Sequence, residues 1–304
     1  MIRKVHSLWL VLLLAMPAFS QQPLTITVNG VSFKMIHVQG GTFTMGATRE
    51  QANDAEDKEK PAHKVTLSSY YIGETEVTQQ LWLAVMGSNP SEYAPKTTNA
   101  SRCEYDSFVA DAKRLNAKRA GTVRIPTRQE WDAAMTSGGG SLKRPVEMVS
   151  WDDCQTFIRK LNQLTGRQFR LPTEAEWEFA ARGGTKSQGY KYSGGNSIGT
   201  VAWYEDNAFI NKEVNDYSTH NVKTKRANEL GIYDMSGNVY EWCQDRYGHY
   251  NSEAQNNPKG PSSGSDRVFR GGWIYSSGRQ CRVSYRDSVK PDYAMHFLGL
   301  RLAL

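Results

Sequence analysis

The chain has 304 residues, 39% hydrophobic and 22% charged, with 26 Gly, 8 Trp, 15 Tyr, 10 Phe and only 4 Cys. That length allows one large or two ordinary domains with a core that needs no covalent staples, and the hydrophobic share excludes a disordered chain. The formal charge of +6 is spread over scattered basic residues among 31 acids, so nucleic acid is not an expected partner.

Arg3 and Lys4 precede an apolar stretch from Leu8 to Met16, then Pro17 and the small-residue pattern Ala18-Phe19-Ser20. This order predicts a secretory signal peptide over residues 1–20 and a mature chain over 21–304, secreted or periplasmic. Removing Arg3 and Lys4 with it lowers the charge to about +4. The stretch is too short for a membrane span, and Gln21 in place of Cys gives no lipobox.

Leu24 to Val28 reads as a strand, with a turn at Asn29-Gly30. Phe33 to Val38 and Gly40 to Gly46 are expected to form a hairpin. The acidic stretch Glu50 to Lys60 reads as a solvated loop, His63 to Leu67 alternates, and Thr78 is the expected N-cap of a helix over Gln79 to Met86.

Leu115 to Trp131 and Leu161 to Trp177 align without gaps, with 7 of 17 positions identical. Each copy predicts a turn, a short strand ending in Pro-Thr, and a second helix that buries its Trp. Thr127 with Glu130, and Thr173 with Glu176, have capping-box spacing. The two Trp are expected to be core anchors and not ligand platforms.

Cys103, Cys154, Cys243 and Cys281 lie 51, 89 and 38 residues apart, which is no metal-type spacing, although an exported location permits disulfides. His37, His63, His220, His249 and His296 show no helical pairing for a metal site, and no HExxH, P-loop or GxGxxG after a strand is present. The densest segment is Gly231 to Trp242, where Asp234 and Glu241 bracket a tight Gly turn. Its carbonyls and the two carboxylates can converge on a hard cation such as calcium, or Asp234 can simply satisfy backbone donors of the turn.

An ordered series of motifs runs along the chain: Gly40-Gly41-Thr42-Phe43-Thr44-Met45-Gly46, Glu76-Val77-Thr78, Pro145 to Trp151, Arg170-Leu171-Pro172-Thr173-Glu174-Ala175-Glu176-Trp177-Glu178, Asp234 to Trp242, Arg267 to Trp273 and Gly299-Leu300-Arg301-Leu302. The series resembles the formylglycine-generating enzyme, or sulfatase-modifying factor, family. The resemblance covers Phe33 to Leu304 and is interrupted by Tyr93 to Lys143, an expected insertion over residues 93–143 that carries the first repeat copy. It implies an α+β, C-type-lectin-like complex fold with short strands, few helices and long loops. It also implies structural Ca²⁺ held by the side chains of Asp234 and Glu241 and the carbonyls of Gly237 and Val239.

Family enzymes oxidise a sulfatase cysteine to formylglycine, using two cysteines that hold Cu(I) as a bis-thiolate. Counted from Gly271-Gly272, the first falls on Cys281 and the second on Arg286. Soft Cu(I) needs thiolates, and a guanidinium is permanently charged with no lone pair to offer. The copper pair is therefore not expected. Cys281 is expected to be a buried thiol or half-disulfide, with a reactive thiol as the alternative. Arg282, Arg286 and Arg301 are expected to pair with core carboxylates. Two functions follow: an exported oxidase of the formylglycine-generating type acting through Cys281 on a sulfatase, or a catalytically silent module binding a protein or peptide in a secretion or cell-envelope complex.

Overall fold

The computed structural model describes residues 22–51, 53–94, 141–211 and 216–304. The expected signal peptide, Cys103 and the first repeat copy lie outside the described residues.

Strands β1 (Leu24–Val28) and β2 (Val31–Val38) form an antiparallel hairpin. Asn29 and Gly30 turn it with φ of 46° and 79°, the left-handed pair that Asn-Gly tolerates best. β3 (Gly41–Met45) does not fold back on β2, contrary to the sequence expectation. It pairs with β4 (His63–Leu67), while β2 pairs with β5 (Tyr70–Gly73). The acidic stretch between β3 and β4 also departs from expectation. It contains the 3₁₀ turn Asp57–Glu59, whose Glu59 is fully buried.

Helix α1 (Gln79–Met86) starts at Thr78, whose hydroxyl accepts the Leu81 amide at 3.2 Å, and ends at Gly87 in the left-handed region. Helix α2 (Trp151–Thr165) starts at the Ser150 capping box and buries Cys154, Phe157, Ile158 and Leu161, one stripe at helical spacing. Phe157 stacks on Trp82 of α1 with ring centroids 4.8 Å apart. Helix α3 (Glu174–Ala181) has the predicted capping box: the Glu176 amide donates to Thr173 Oγ1, and the Thr173 amide donates to the Glu176 carboxylate. α4 (Ile198–Val201) is a single turn.

β6 (Phe209–Asn211) and β7 (Asp216–Tyr217) make a two-stranded ribbon. The remaining strands are β8 (Tyr240–Arg246), β9 (Gln255–Asn256), β10 (Arg267–Arg270), β11 (Arg286–Val289) and β12 (Leu298–Leu300). They complete a four-stranded sheet in the order β11-β10-β8-β12, beside three-stranded sheets β1-β2-β5 and β3-β4-β9. This is the expected α+β architecture of short strands, few helices and long connections.

Trp242 on β8 packs into a core with Phe157, Leu161 and Leu300, and its indole N–H donates to the Val149 carbonyl at 3.0 Å. Side chains alternate across a strand, so Glu241 faces the other way, toward Trp177 of α3. All eight residues of α3 are buried, Glu174, Glu176 and Glu178 among them. A helix buried on every face carries acids only where each finds a counter-charge. That requirement organises the site.

Candidate functional site

The counter-charges are arginines. Arg286 clamps Glu174 through two bonds, Nε to Oε1 at 2.6 Å and Nη2 to Oε2 at 2.7 Å. Arg270 pairs with Glu178, and Arg170 holds Glu176 with two bonds. Arg282 clamps the buried Glu59 at 2.6 and 2.8 Å, and Arg301 clamps Glu241. Arg282, Arg286 and Arg301 thus pair with core carboxylates as expected. Burial opposes the charged form of Glu174, but Arg286 and Arg270 outweigh it and hold the carboxyl below its usual range. The same balance, with Arg282 and Ser284 as partners, lowers Glu59.

The turn before β8 brings Asp234, Gly237, Val239 and Glu241 to one buried region. Asp234, Gly237 and Asn238 have φ of 59°, 80° and 66°. A Cβ on Gly237 would stand 2.1 Å from the Trp203 carbonyl oxygen, so only glycine closes this turn. Asp234 accepts the Lys223 amide at 2.8 Å. Glu241 is more fully engaged: Oε1 accepts Arg301 Nη2 at 2.6 Å, and Oε2 accepts Arg301 Nε at 2.9 Å and the Trp177 indole at 2.6 Å.

A third acid, absent from the sequence-based ligand set, joins them. Glu76 is 2% exposed, and its Oε1 accepts Asn238 Nδ2 at 3.1 Å. Its Oε2 is buried without a hydrogen-bond partner among the described residues. Burial, with Asp234 next, pushes the Glu76 carboxyl well up, and burial raises Asp234 to about 6. Glu76 lies within a motif quoted from the sequence, but its approach to Asn238 depends on a contact across 162 residues.

Cys281 and Arg286 occupy different surroundings. The Cys281 thiol is free, fully buried with Tyr192, Val201 and Ala202, and pushed up by burial. Gly272, at φ 83°, passes so close that a Cβ there would meet its sulfur at 2.6 Å. Cys154 and Cys243 are also free and buried. Arg286 stacks against Tyr250, 4.1 Å from the ring centroid, and lines a cavity of about 410 Å³ with Glu174, Asp245 and His63. A second cavity of about 620 Å³ shares Pro258 and Lys259 with the first, and Cys281 lines neither.

Asp245 accepts the Glu174 amide at 2.9 Å, and burial, then Glu174, raises its carboxyl to about 8. An acid raised above its unfolded value of about 3.9 contributes stability in full below that value and loses it as pH climbs through the folded value. Asp245→Asn keeps an acceptor for the Glu174 amide and removes the proton. Urea midpoints at pH 5 and pH 8 are expected to shift in the variant's favour, relative to the parent, toward pH 8. An offset constant with pH would show that Asp245 does not titrate in this window.

Among the described residues no helix is long and apolar enough to cross a membrane. The sulfatase-modifying factor enzyme 1-like domain model matches residues 27–304. The chain is 33% identical to the chaperone protein LppX of Paenibacillus barcinonensis, over 97% of this chain and 98% of that one. It is 31% identical to the formylglycine-generating enzyme of Streptomyces coelicolor, over 88% of each. The solved structure of Treponema denticola variable protein 1 superposes with a TM-score of 0.67 at 31% identity, covering 92% of this chain and 98% of that one. With the matching model spanning nearly all described residues, and the α3 and β8 motifs at the centre of the fold, the chain belongs to the sulfatase-modifying factor enzyme 1-like family.

Proposed function

We propose that this protein is an exported binding or assembly module that works without the two-cysteine copper chemistry of its oxidase relatives. One observation carries the reading: the position of the second thiolate is held by Arg286, locked to Glu174 and covered by Tyr250. A Cu(I) bis-thiolate needs two deprotonated sulfurs, and the one remaining thiol is enclosed and raised by burial. The partner class this favours is a protein or peptide, an envelope-complex component rather than a sulfatase, in keeping with a relative named as a chaperone. Incubation with Cu(I), O₂ and a peptide containing Cys-x-Pro-x-Arg is expected to leave the peptide thiol intact. Its loss would favour the second reading, a divergent oxidase, which the identity to the Streptomyces enzyme supports.

The Asp234 region fits structural calcium. Three buried carboxylates, Glu76, Asp234 and Glu241, face one buried guanidinium, Arg301, leaving negative charge that a hard divalent cation offsets. Among the described residues no three His, Cys, Asp or Glu side chains converge as a metal site by themselves. In this reading the Gly237 and Val239 carbonyls would join the Asp234 and Glu241 carboxylates as donors. Chelation is expected to lower the melting temperature, and Asp234→Asn to abolish that response; equal melting curves with and without chelator would count against calcium.

Residues 93–143 act in this reading as an insertion. Gln79 Nε2 reaches both the Tyr93 and Pro145 carbonyls, at 3.4 and 3.3 Å, so entry and exit lie side by side. Replacing residues 94–141 with a short Gly-Ser linker is expected to preserve cooperative melting, and an insoluble product would contradict this.

A further inference from the structure

We infer that the cavity of about 410 Å³ beside α3 is a binding site for a small organic acid, whose carboxylate is held by Asp245 and Lys259. The inference stands apart from the copper and calcium readings. The cavity lies under a strap, residues 258–261, which is seated on the end of β8 by two close approaches. A Cβ on Gly260 would stand 2.8 Å from the Asp245 Cβ, and one on Gly248 would stand 2.9 Å from the Pro261 ring. The volume suits a whole small molecule. Met45, Ala175, Pro258 and Pro261 give it an apolar wall, which favours an organic body over a bare inorganic anion.

The polar lining divides into a satisfied pair and a remainder. Glu174 and Arg286 satisfy each other, and Tyr250 donates to the same carboxylate at 3.0 Å, so this floor offers a ligand little. Asp245 is in the opposite condition. It is 3% exposed, its Oδ2 accepts the Glu174 amide at 2.9 Å, and Oδ1 has no hydrogen-bond partner among the described residues. Burial, then the neighbouring Glu174, raises this carboxyl to about 8, with Glu176 adding to the rise and Arg286 opposing it. Near pH 7 the group is therefore a neutral acid, and since Oδ2 is the acceptor, its proton sits on Oδ1. A buried O–H without an acceptor is costly, and a carboxylate is the acceptor that makes the shorter, stronger bond to it. The remaining charge has the matching sign. Arg246 and Lys259 line the cavity and form no ion pair among the described residues, whereas Glu174, the other acid of the lining, is already paired. With Tyr250, His63 and His249 complete the titratable lining.

The test follows the ¹³C-methyl signal of Met45, which lines the cavity, in the mature chain with benzoate as ligand. Benzoate is expected to shift this signal saturably at pH 7, while benzylamine, of similar size and opposite charge, leaves it in place. Binding needs the proton on Asp245, so affinity is present below the folded value of about 8 and is expected to fall about tenfold between pH 7 and pH 9. Asp245→Asn presents an amide N–H in place of the O–H and is expected to bind benzoate at pH 7 and to keep that affinity at pH 9. A fall in this variant equal to the wild type's would place the titration on His63, His249 or Lys259 and overturn the inference. Lys259→Gln, at an exposed position, is expected to weaken benzoate about threefold without lowering the melting temperature. Should Asp245→Asn not fold, the wild-type pH profile and Lys259→Gln decide. No saturable shift with benzoate, or an equal shift with benzylamine, overturns the inference outright.

Discussion

Glu59→Ala is expected to lower the unfolding free energy by about 3–5 kcal/mol, a large share of the margin of a typical domain. Glu59 and Arg282 are each fully buried, and Arg282 Nη1 and Nη2 meet the two carboxylate oxygens at 2.8 and 2.6 Å. Ser284 donates a third bond to the same carboxylate at 2.6 Å. Removing the acid strands a guanidinium where water cannot solvate it, and that penalty exceeds what the intact pair contributes. The double variant Glu59→Leu with Arg282→Leu removes both charges and is expected to recover most of the loss. Urea denaturation of both proteins checks this. A double variant no more stable than Glu59→Ala would mean that shape, and not the stranded charge, dominates.

Trp177→Ala is expected to cost a further amount of similar size, about 3–5 kcal/mol, by emptying the space between α3 and the central sheet. Its ring is fully buried, lies 5.2 Å from the Arg270 guanidinium, and gives its N–H to Glu241. Trp177→Phe removes the donor and part of the ring volume while retaining most of the packing, for an expected loss of about 1–3 kcal/mol. Equal losses in the two variants would show that the volume Phe retains contributes nothing.

Local signals in the sequence were sufficient where the structure is local. Thr78 caps α1, the Thr173 and Glu176 box opens α3, Leu24–Val28 is a strand, and Trp177 is a core anchor. They fell short where pairing is distant. Gly40 to Gly46 has the alternation of a strand, but nothing within it shows that its partner is His63–Leu67 and not the preceding strand. The run of acids from Glu50 reads as solvated because hydrophilicity is averaged over a segment. Glu59 is buried because of one arginine more than two hundred positions away. The same limit applied to the site. Arg282, Arg286 and Arg301 were legible as core partners of carboxylates, but which carboxylates was not. The burial of Glu76 against Asn238 was not legible because that contact is a tertiary fact.

The burial of Arg286 in an ion pair has a direct physical consequence. Arg286 is held to Glu174, capped by Tyr250, and bonded to the Gly248 carbonyl at 2.8 Å. A positive charge so fixed neither coordinates Cu(I) nor moves aside without stranding Glu174. The measurement that bears on this most directly is titration of Cu(I) into the reduced mature protein against a competing chelator. No stoichiometric dithiolate complex is expected, and Cys281 should react with a thiol reagent only after unfolding. A tight one-to-one Cu(I) complex in the folded protein, with thiolate-to-copper charge-transfer absorption, would contradict the proposal that this chain works without copper chemistry.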